Sequence, residues 1–285
     1  MGSIARAVLW ALASSITFQG LSTLMKLLGA TLPPLEIAFV RGAAALALLA
    51  VTWRALKAWR SIRAPWIHGL RAGLGTIALL CSVYALSTSM PLALVSVILY
   101  SRILVMIPLA RMTLGERTSP RLWLATIAGF AGVLLAVSPA LALPDQLLGV
   151  LAITAAAITS AGSQLAVRRL TATNPSSLIV ALYALLSTIL LAAPAAAVWV
   201  PPSEAEMIGL LSIGLFGAAA LYCTAQAYRH APATIVAPLS FLEIPLAAGL
   251  DYLMWGKVPT WQTVIGALVI VSATYAVTRA QSVHA

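Results

Sequence analysis

Two side chains of opposite charge, Arg102 and Glu243, lie inside long apolar runs, 141 positions apart. A charge within such a run is costly to bury and needs a partner or a function. An arginine and a carboxylate that lie side by side neutralise each other. The sequence therefore predicts either a fixed buried ion pair between two parts of the chain or a polar floor or gate of a solute cavity.

Polar and aromatic side chains interrupt the same apolar runs. A cavity for a zwitterionic or aromatic solute needs mostly apolar walls and a few polar groups that orient the solute. The candidates in the first half are Trp10, Ser14, Gln19, Ser82, Tyr84, Tyr100 and Ser101, and those in the second half are Ser163, Gln164, Tyr222, Gln226 and Ser240.

Two prolines, Pro238 and Pro245, flank Glu243. Each removes a backbone hydrogen bond and leaves a carbonyl free for other partners. In carriers built from inverted repeats, an interrupted helix marks the binding site. The alternative is that the prolines only bend the helix.

Other kinds of chemistry have little support in the sequence. His68, His230 and His284 lack ligand spacing, so we expect no metal, and the chain has no glycine-rich phosphate loop or nucleophile–base pattern. Cys81 and Cys223 lie in apolar runs and are expected to pack as small apolar residues. We expect no cofactor. A lipid-modifying membrane enzyme stays an alternative, but it would need a cluster of His, Asp or Glu.

The apolar runs that carry these residues indicate an all-α integral membrane protein. The chain has 285 residues, of which 61% are hydrophobic and 8% charged, and its mean hydropathy is +1.00, whereas soluble domains have about 25% charged residues. At about 20 residues per crossing, ten transmembrane helices fit. We place them at 4–28, 35–53, 66–88, 91–110, 121–138, 146–167, 176–199, 207–228, 232–254 and 260–278.

The ten crossings form two copies of a five-crossing repeat. A shift of 141 positions brings Pro91 onto Pro232 and Arg102 onto Glu243. This predicts two five-helix repeats, residues 1–140 and 141–285. Because five is odd, the second repeat is expected to be inverted, which is typical of secondary transporters.

The net charge of +10 follows the membrane topology. With the N-terminus in the cytoplasm, thirteen of the seventeen Lys and Arg residues, Arg71 included, fall on the cytoplasmic side or just inside it, and only Lys26 and Lys257 fall outside. This asymmetry predicts an N-in, C-in chain and no nucleic-acid partner. Arg41, within the second crossing, could pair with Glu36 or Asp251 or extend outward.

A family resemblance rests on several short patterns. They are Lys26, Pro34 and Arg41 in the first two crossings; Tyr84, Ala85, Pro91, Ser96, Pro108 and Leu114-Gly115-Glu116 further on; Gly129 and Gly132; and, in the second copy, Ala231-Pro232 and Gly256-Lys257. In these the chain resembles the drug/metabolite transporter superfamily, and within it the ten-helix EamA-type proteins, including the YddG-type exporters of aromatic amino acids. The resemblance implies that crossings one, three, four, six, eight and nine line the cavity. For this reason the candidates above rank before Tyr183, Ser187 and Thr188 on the seventh.

These observations predict a secondary transporter of the bacterial inner membrane that works by alternating access. We expect it to export amino acids, with aromatic or other apolar ones favoured, and related metabolites. The alternative substrate within the same fold is S-adenosylmethionine or another nucleoside-like solute, moved inward. The expected partners are a small-molecule substrate and membrane lipid, and the oligomeric state stays open.

Overall fold

The computed structural model describes residues 3–50, 62–114, 120–141, 144–170, 173–230 and 242–282. These ranges hold eleven α-helices. In chain order they are α1 (Ser3–Leu28), α2 (Pro34–Ala50), α3 (Pro65–Leu86), α4 (Leu92–Tyr100), α5 (Arg102–Leu114), α6 (Pro120–Leu141), α7 (Pro144–Leu170), α8 (Ser176–Ala197), α9 (Glu204–His230), α10 (Glu243–Trp255) and α11 (Trp261–Ser282). Helices α4 and α5 are the two parts of one crossing, so the order reproduces the ten predicted crossings.

Prolines set the beginning of several helices. Pro34, Pro65, Pro120 and Pro144 are the first residues of α2, α3, α6 and α7, where the missing N–H costs nothing because that position has no partner within the helix. Gly256, with φ of 63°, ends α10 in the left-handed conformation that glycine adopts without strain.

Helix pairs from the two halves of the chain build the core. Helix α1 packs along α9, and α3 packs along α7. Since α1 and α7 open the two repeats, and α3 and α9 are the third crossings, these two pairs are equivalent. The pairs α2–α8 and α6–α11, and the contact of α10 with α4, join equivalent crossings directly. This is the pattern that a two-fold relation between the repeats requires.

In each of the two pairs α1–α9 and α3–α7, the two helices run in opposite directions. Near one end of α1, Leu28 faces Gly209 of α9, and further back Ser14 bonds Thr224. On α3, Gly75 lies by Ser163 of α7, and Gly149 at the other end of α7 lies beyond the end of α3, against Met90.

The ends of α1 and α3 meet, because Gly29 contacts Ser87. The C-terminal end of α1 therefore lies at the same end of the bundle as the N-terminal end of α7, and the first helices of the two repeats run in opposite directions. The side of the membrane that holds the termini stays a prediction.

Five of the described helices, α1, α3, α7, α8 and α9, are long and apolar enough to cross a membrane by length and composition. Large apolar side chains are exposed on them, for example Ile16, Leu151 and Leu215. In the ninth crossing, Pro238 lies outside the described residues, and Pro245 occupies the first turn of α10, where proline is tolerated.

Candidate functional site

A cavity of about 220 Å³ opens between the two repeats, with room for about seven water molecules. Its wall combines three arginines with apolar side chains and hydroxyls. The lining residues are Phe18, Leu21, Ser22 and Met25 of α1, Arg41 of α2, Arg71, Gly75, Ala78, Leu79, Ser82 and Leu86 of α3, Val95, Ser96, Leu99 and Tyr100 of α4, Arg102 of α5, Ser160, Ser163 and Gln164 of α7, and Tyr183 of α8.

Arg71 lies flat against an aromatic ring in this wall. Its guanidinium carbon is 4.0 Å from the centroid of the Tyr183 ring, a cation–π contact. The Tyr183 hydroxyl in turn donates a 3.2 Å hydrogen bond to the carbonyl of Gly75. The Nε and Nη1 atoms of Arg71 are buried and have no hydrogen-bond partner among the described residues. The Arg71 side chain therefore offers two buried donors to whatever enters the cavity.

Gly75 makes the approach of this ring possible. A Cβ atom at that position would lie 2.6 Å from Cε2 of Tyr183 and 3.1 Å from Oγ of Ser163. The first distance is shorter than carbon atoms tolerate, so a side chain here would push the ring away from α3. The missing side chain thus lets α3, α7 and α8 meet around Arg71.

Arg41 is the second cationic group of the wall. Its Nη1 atom points to the sulfur of Met25 at 3.9 Å, a weak contact. Neither acid considered for it from the sequence is its partner. Glu36 accepts a 3.1 Å hydrogen bond from the backbone of Val200, and Asp251 is bound to Lys26. Arg41 therefore faces the cavity beside Tyr183 instead of closing an ion pair.

Arg102 and Glu243 come close, but Tyr100 is the residue that connects them. The guanidinium of Arg102 lies 5.2 Å from the centroid of the Tyr100 ring, and the Tyr100 hydroxyl donates a hydrogen bond to the Glu243 carboxylate. Among the described residues, no ion pair within 4.0 Å joins the two charges. The two charges interact at longer range with Tyr100 between them, and their role as a structural pair or as a gate stays a prediction.

A direct buried ion pair lies elsewhere, between α1 and α10. The Lys26 ammonium is 3.2 Å from Oδ1 of Asp251 and 4.3 Å from the Trp255 ring. The other oxygen of Asp251 accepts a 2.9 Å hydrogen bond from the backbone N–H of Ala93 in the first turn of α4, where helix N–H groups lack partners. Lys26, counted above on the outer side at the end of the first crossing, is buried.

Five of the residues selected from the sequence lie in the cavity wall. They are Ser82, Tyr100, Arg102, Ser163 and Gln164. Gln19 lies just behind the wall and donates a 3.3 Å hydrogen bond to the hydroxyl of Ser96. Glu243 lies behind Tyr100 at the start of α10.

Three selected residues belong to the seam between α1 and α9. Trp10 packs edge-on against Tyr222 at 5.8 Å between ring centroids, and 58% of Tyr222 is exposed. Ser14 bonds Thr224 at 2.6 Å and the carbonyl of Ala220. They do not line this cavity, because the antiparallel packing of the two helices directs them to each other.

The remaining selected residues also lie away from the wall. Tyr84 lies on another face of α3, in an apolar depression with Cys81 and Pro34. Ser101 bonds the carbonyl of Ile98 at 2.6 Å and so completes the end of α4. Gln226 is half-buried on α9, and Ser240 lies outside the described residues.

Arg71 and Tyr183 are the wall residues that sequence reasoning missed or ranked low. Arg71 was counted with the cytoplasmic charges because it lies near the beginning of a crossing. Pro65 marks that beginning, and six residues at 1.5 Å each place Arg71 about 9 Å inside. The same arithmetic places Arg41 at similar depth, so counting from the helix-starting prolines would have identified both arginines.

Comparison with known proteins shows relatives along the whole chain. Residues 5–138 and 147–279 each match the model of the EamA-like transporter family. A pseudopaline exporter, CntI, of Pseudomonas aeruginosa is 30% identical over 95% of both chains. An S-adenosylmethionine uptake transporter of Rickettsia bellii is 27% identical over 93% of this chain and 90% of its own. A riboflavin transporter of Vibrio cholerae is 26% identical over 96% and 93%.

A solved crystal structure has the same fold. Its TM-score is 0.67 at 19% identity, and the match covers 96% of this chain and 98% of that chain. Together with the apolar helices, these findings make the protein a multi-pass transporter of the inner membrane and not an enzyme.

Proposed function

We propose a substrate class and a direction of movement for this chain, which belongs to the EamA-like transporter family. The protein exports amino acids and related carboxylate-bearing metabolites by alternating access. The observation that carries this proposal is the arginine-lined cavity between the two repeats.

The arginines supply the reason to expect a carboxylate. A guanidinium group binds a carboxylate through two parallel hydrogen bonds, and a buried one does so more strongly than an exposed one. Arg71 holds two buried nitrogen atoms without a partner. A solute carboxylate would supply the missing acceptors and balance a charge that is costly at this depth.

The apolar part of the wall suits the rest of such a solute. Phe18, Leu21 and Leu99 line the cavity together with the arginines. Apolar walls with a few oriented polar groups are typical of small-molecule sites. This combination supports our expectation that amino acids with aromatic or other apolar portions are favoured, within the limit of a small cavity.

Alternating access follows from the way the repeats are packed. The pairs α1–α9 and α3–α7 each join the two repeats, so a small rotation of one repeat against the other changes both seams together. In inverted-repeat carriers such rocking exposes the central site first to one side and then to the other. The pseudopaline exporter among the relatives supports outward movement.

Uptake of a nucleoside-like solute is the second candidate, because S-adenosylmethionine transporters are also among the relatives. The cavity disfavours it on two counts. Three arginines in the wall oppose the positive sulfonium group, and about 220 Å³ is small for a nucleoside. Sites for drug-sized ligands typically measure about 300–1,000 Å³.

Counterflow in proteoliposomes tests the proposal. Vesicles containing the purified protein are preloaded with a panel of unlabelled amino acids, and the entry of a labelled one is followed with and without a pH gradient. We expect accelerated exchange of carboxylate-bearing solutes, which Arg71→Gln weakens. Exchange of S-adenosylmethionine with none of the amino acids would overturn the proposal. Efflux from preloaded cells, with and without the protein, tests the direction.

A further inference from the structure

The charges of the cavity wall do not balance, and the imbalance carries information about the solute. Arg41, Arg71 and Arg102 all line the cavity. The side chains of five of the seven carboxylate residues of the chain, Glu36, Glu204, Glu206, Glu243 and Asp251, are described, and none of these five lines it. The described wall is therefore purely cationic.

One of the three positive charges has a counter-charge nearby. Glu243 lies behind Tyr100, bonds its hydroxyl and interacts electrostatically with Arg102. Arg102 thus has a partial partner that belongs to the protein.

Arg41 and Arg71 have no such partner among the described residues. The Arg41 guanidinium makes a weak 3.9 Å contact with a methionine sulfur, and the Arg71 guanidinium lies on the Tyr183 ring. Arg41, Arg71 and Tyr183 line the same cavity, and the Arg71 guanidinium contacts the Tyr183 ring. Two guanidinium groups without a carboxylate are costly to bury unless a ligand completes them.

We propose that the substrate carries two carboxylate groups, which Arg41 and Arg71 bind together around Tyr183. This inference rests on the proposed function and narrows it to amino-acid-like solutes with a second acid group. An apolar spacer between the two acids would pack against Phe18, Leu21 and Leu99. Ser160 and Ser163 line the same cavity, and each hydroxyl donates to a backbone carbonyl, so its oxygen is able to accept a hydrogen bond from an ammonium group of the solute.

Paired isosteric ligands test this inference on the full chain in lipid nanodiscs. L-glutamate and L-glutamine have nearly the same shape and differ by one negative charge, and 2-aminoadipate lengthens the spacer. We expect glutamate or aminoadipate to bind at least about ten-fold more tightly than glutamine, as calorimetry would measure, because each charge-assisted hydrogen bond adds a factor of this order. In Arg41→Gln and Arg71→Gln this preference should fall to about one-fold.

Lys257→Met is the matched control. It removes one positive charge at an exposed position that does not line the cavity, so the preference for the diacid should persist. Arg71→Lys, which keeps the charge, should retain part of the preference and shows whether loss in Arg71→Gln is due to misfolding.

The outcomes separate the two proposals. Equal binding of glutamate and glutamine would overturn the two-carboxylate inference and leave amino-acid transport standing. Binding of none of the amino acids would overturn both. Tighter binding of O-phosphoserine than of either dicarboxylate would move the assignment from a second carboxylate to a phosphate group.

Discussion

Two buried groups of cations in this protein differ in how their charge is balanced. At the end of α1, Lys26 has a carboxylate at 3.2 Å and an aromatic ring at 4.3 Å. In the cavity, Arg71 has an aromatic ring at 4.0 Å and no carboxylate partner within the part of the chain that the structure describes. A buried charge that the fold itself neutralises depends on its partner for stability, whereas a buried charge without a protein counter-ion is available to a solute.

The two groups of cations also lie on different helices. The Lys26–Asp251 pair connects α1, α10 and the first turn of α4, so it ties the two repeats together at one end of the bundle. The arginines of the cavity come from α2, α3 and α5, all in the first repeat. We therefore expect changes at the first group to alter stability and changes at the second to alter binding.

The largest effect should come from Asp251→Asn. This substitution leaves Lys26 charged and buried without its partner, and breaking such a pair from one side costs about 3–5 kcal/mol. Denaturant unfolding in detergent micelles measures the loss. Lys26→Met/Asp251→Asn removes both charges and should recover most of it. If the double variant were as unstable as the single one, the loss would come from the missing Asp251 carboxylate and its bond to Ala93, and not from an unpaired Lys26 charge.

Arg71→Gln should weaken solute binding without lowering the stability of the protein. We expect solute affinity to fall by about 10- to 100-fold, because charge-assisted hydrogen bonds are lost. The free energy of unfolding should stay the same or rise, since an unbalanced buried charge is removed. Calorimetry and unfolding on the same preparations check the two expectations. A loss of stability as large as that of Asp251→Asn would contradict the distinction between the two regions.

Glu243→Gln should have a smaller effect, in the opposite direction. The substitution removes a negative charge behind Tyr100 and makes the surroundings of the cavity more positive. Affinity for an anionic solute is expected to increase by about five-fold, or about 1 kcal/mol. Titration of glutamate against this variant measures it, with Glu206→Gln as a control on the exposed start of α9. Weaker binding would show that Glu243 positions Tyr100 through its hydrogen bond.

Lys257→Met should have the smallest effect. Lys257 lies near Lys26, and its ammonium donates one 2.6 Å hydrogen bond to the Ser89 carbonyl at an exposed position. We expect the free energy of unfolding to change by less than about 0.5 kcal/mol and affinity to be unaltered. The same unfolding and titration assays apply. A large change would mean that the ion pair of Lys26 extends to this second lysine.

Much of the fold was predictable because each membrane crossing appears in the sequence as one continuous apolar run. Apolar runs bounded by Pro34, Pro65 and Pro175 predicted where helices begin. The alignment of Arg102 with Glu243 under a constant shift predicted the repeat. These signals are local or periodic, so they do not depend on knowing which helices touch.

The cavity was only partly predictable, because its lining depends on helix rotation and on partners distant in sequence. Trp10 and Ser14 carry hydrogen-bonding groups like those of the residues that line the cavity, yet they face α9. The position of Tyr100 between Arg102 and Glu243 is likewise not visible in the sequence, because it depends on contacts between distant helices. The partner of Lys26, 225 positions away, could not be selected from several acids.

Gly75 has a consequence for how such a carrier could acquire new cargo. The Tyr183 ring supports the Arg71 guanidinium, and it can lie there only because α3 has a bare backbone at that point. One methyl group added at Gly75 would tilt the Tyr183 ring and reorient the Arg71 side chain, without replacing any ionisable residue. Related carriers could thus diverge in what they move through a steric substitution one turn away, with their inventory of charges unaltered.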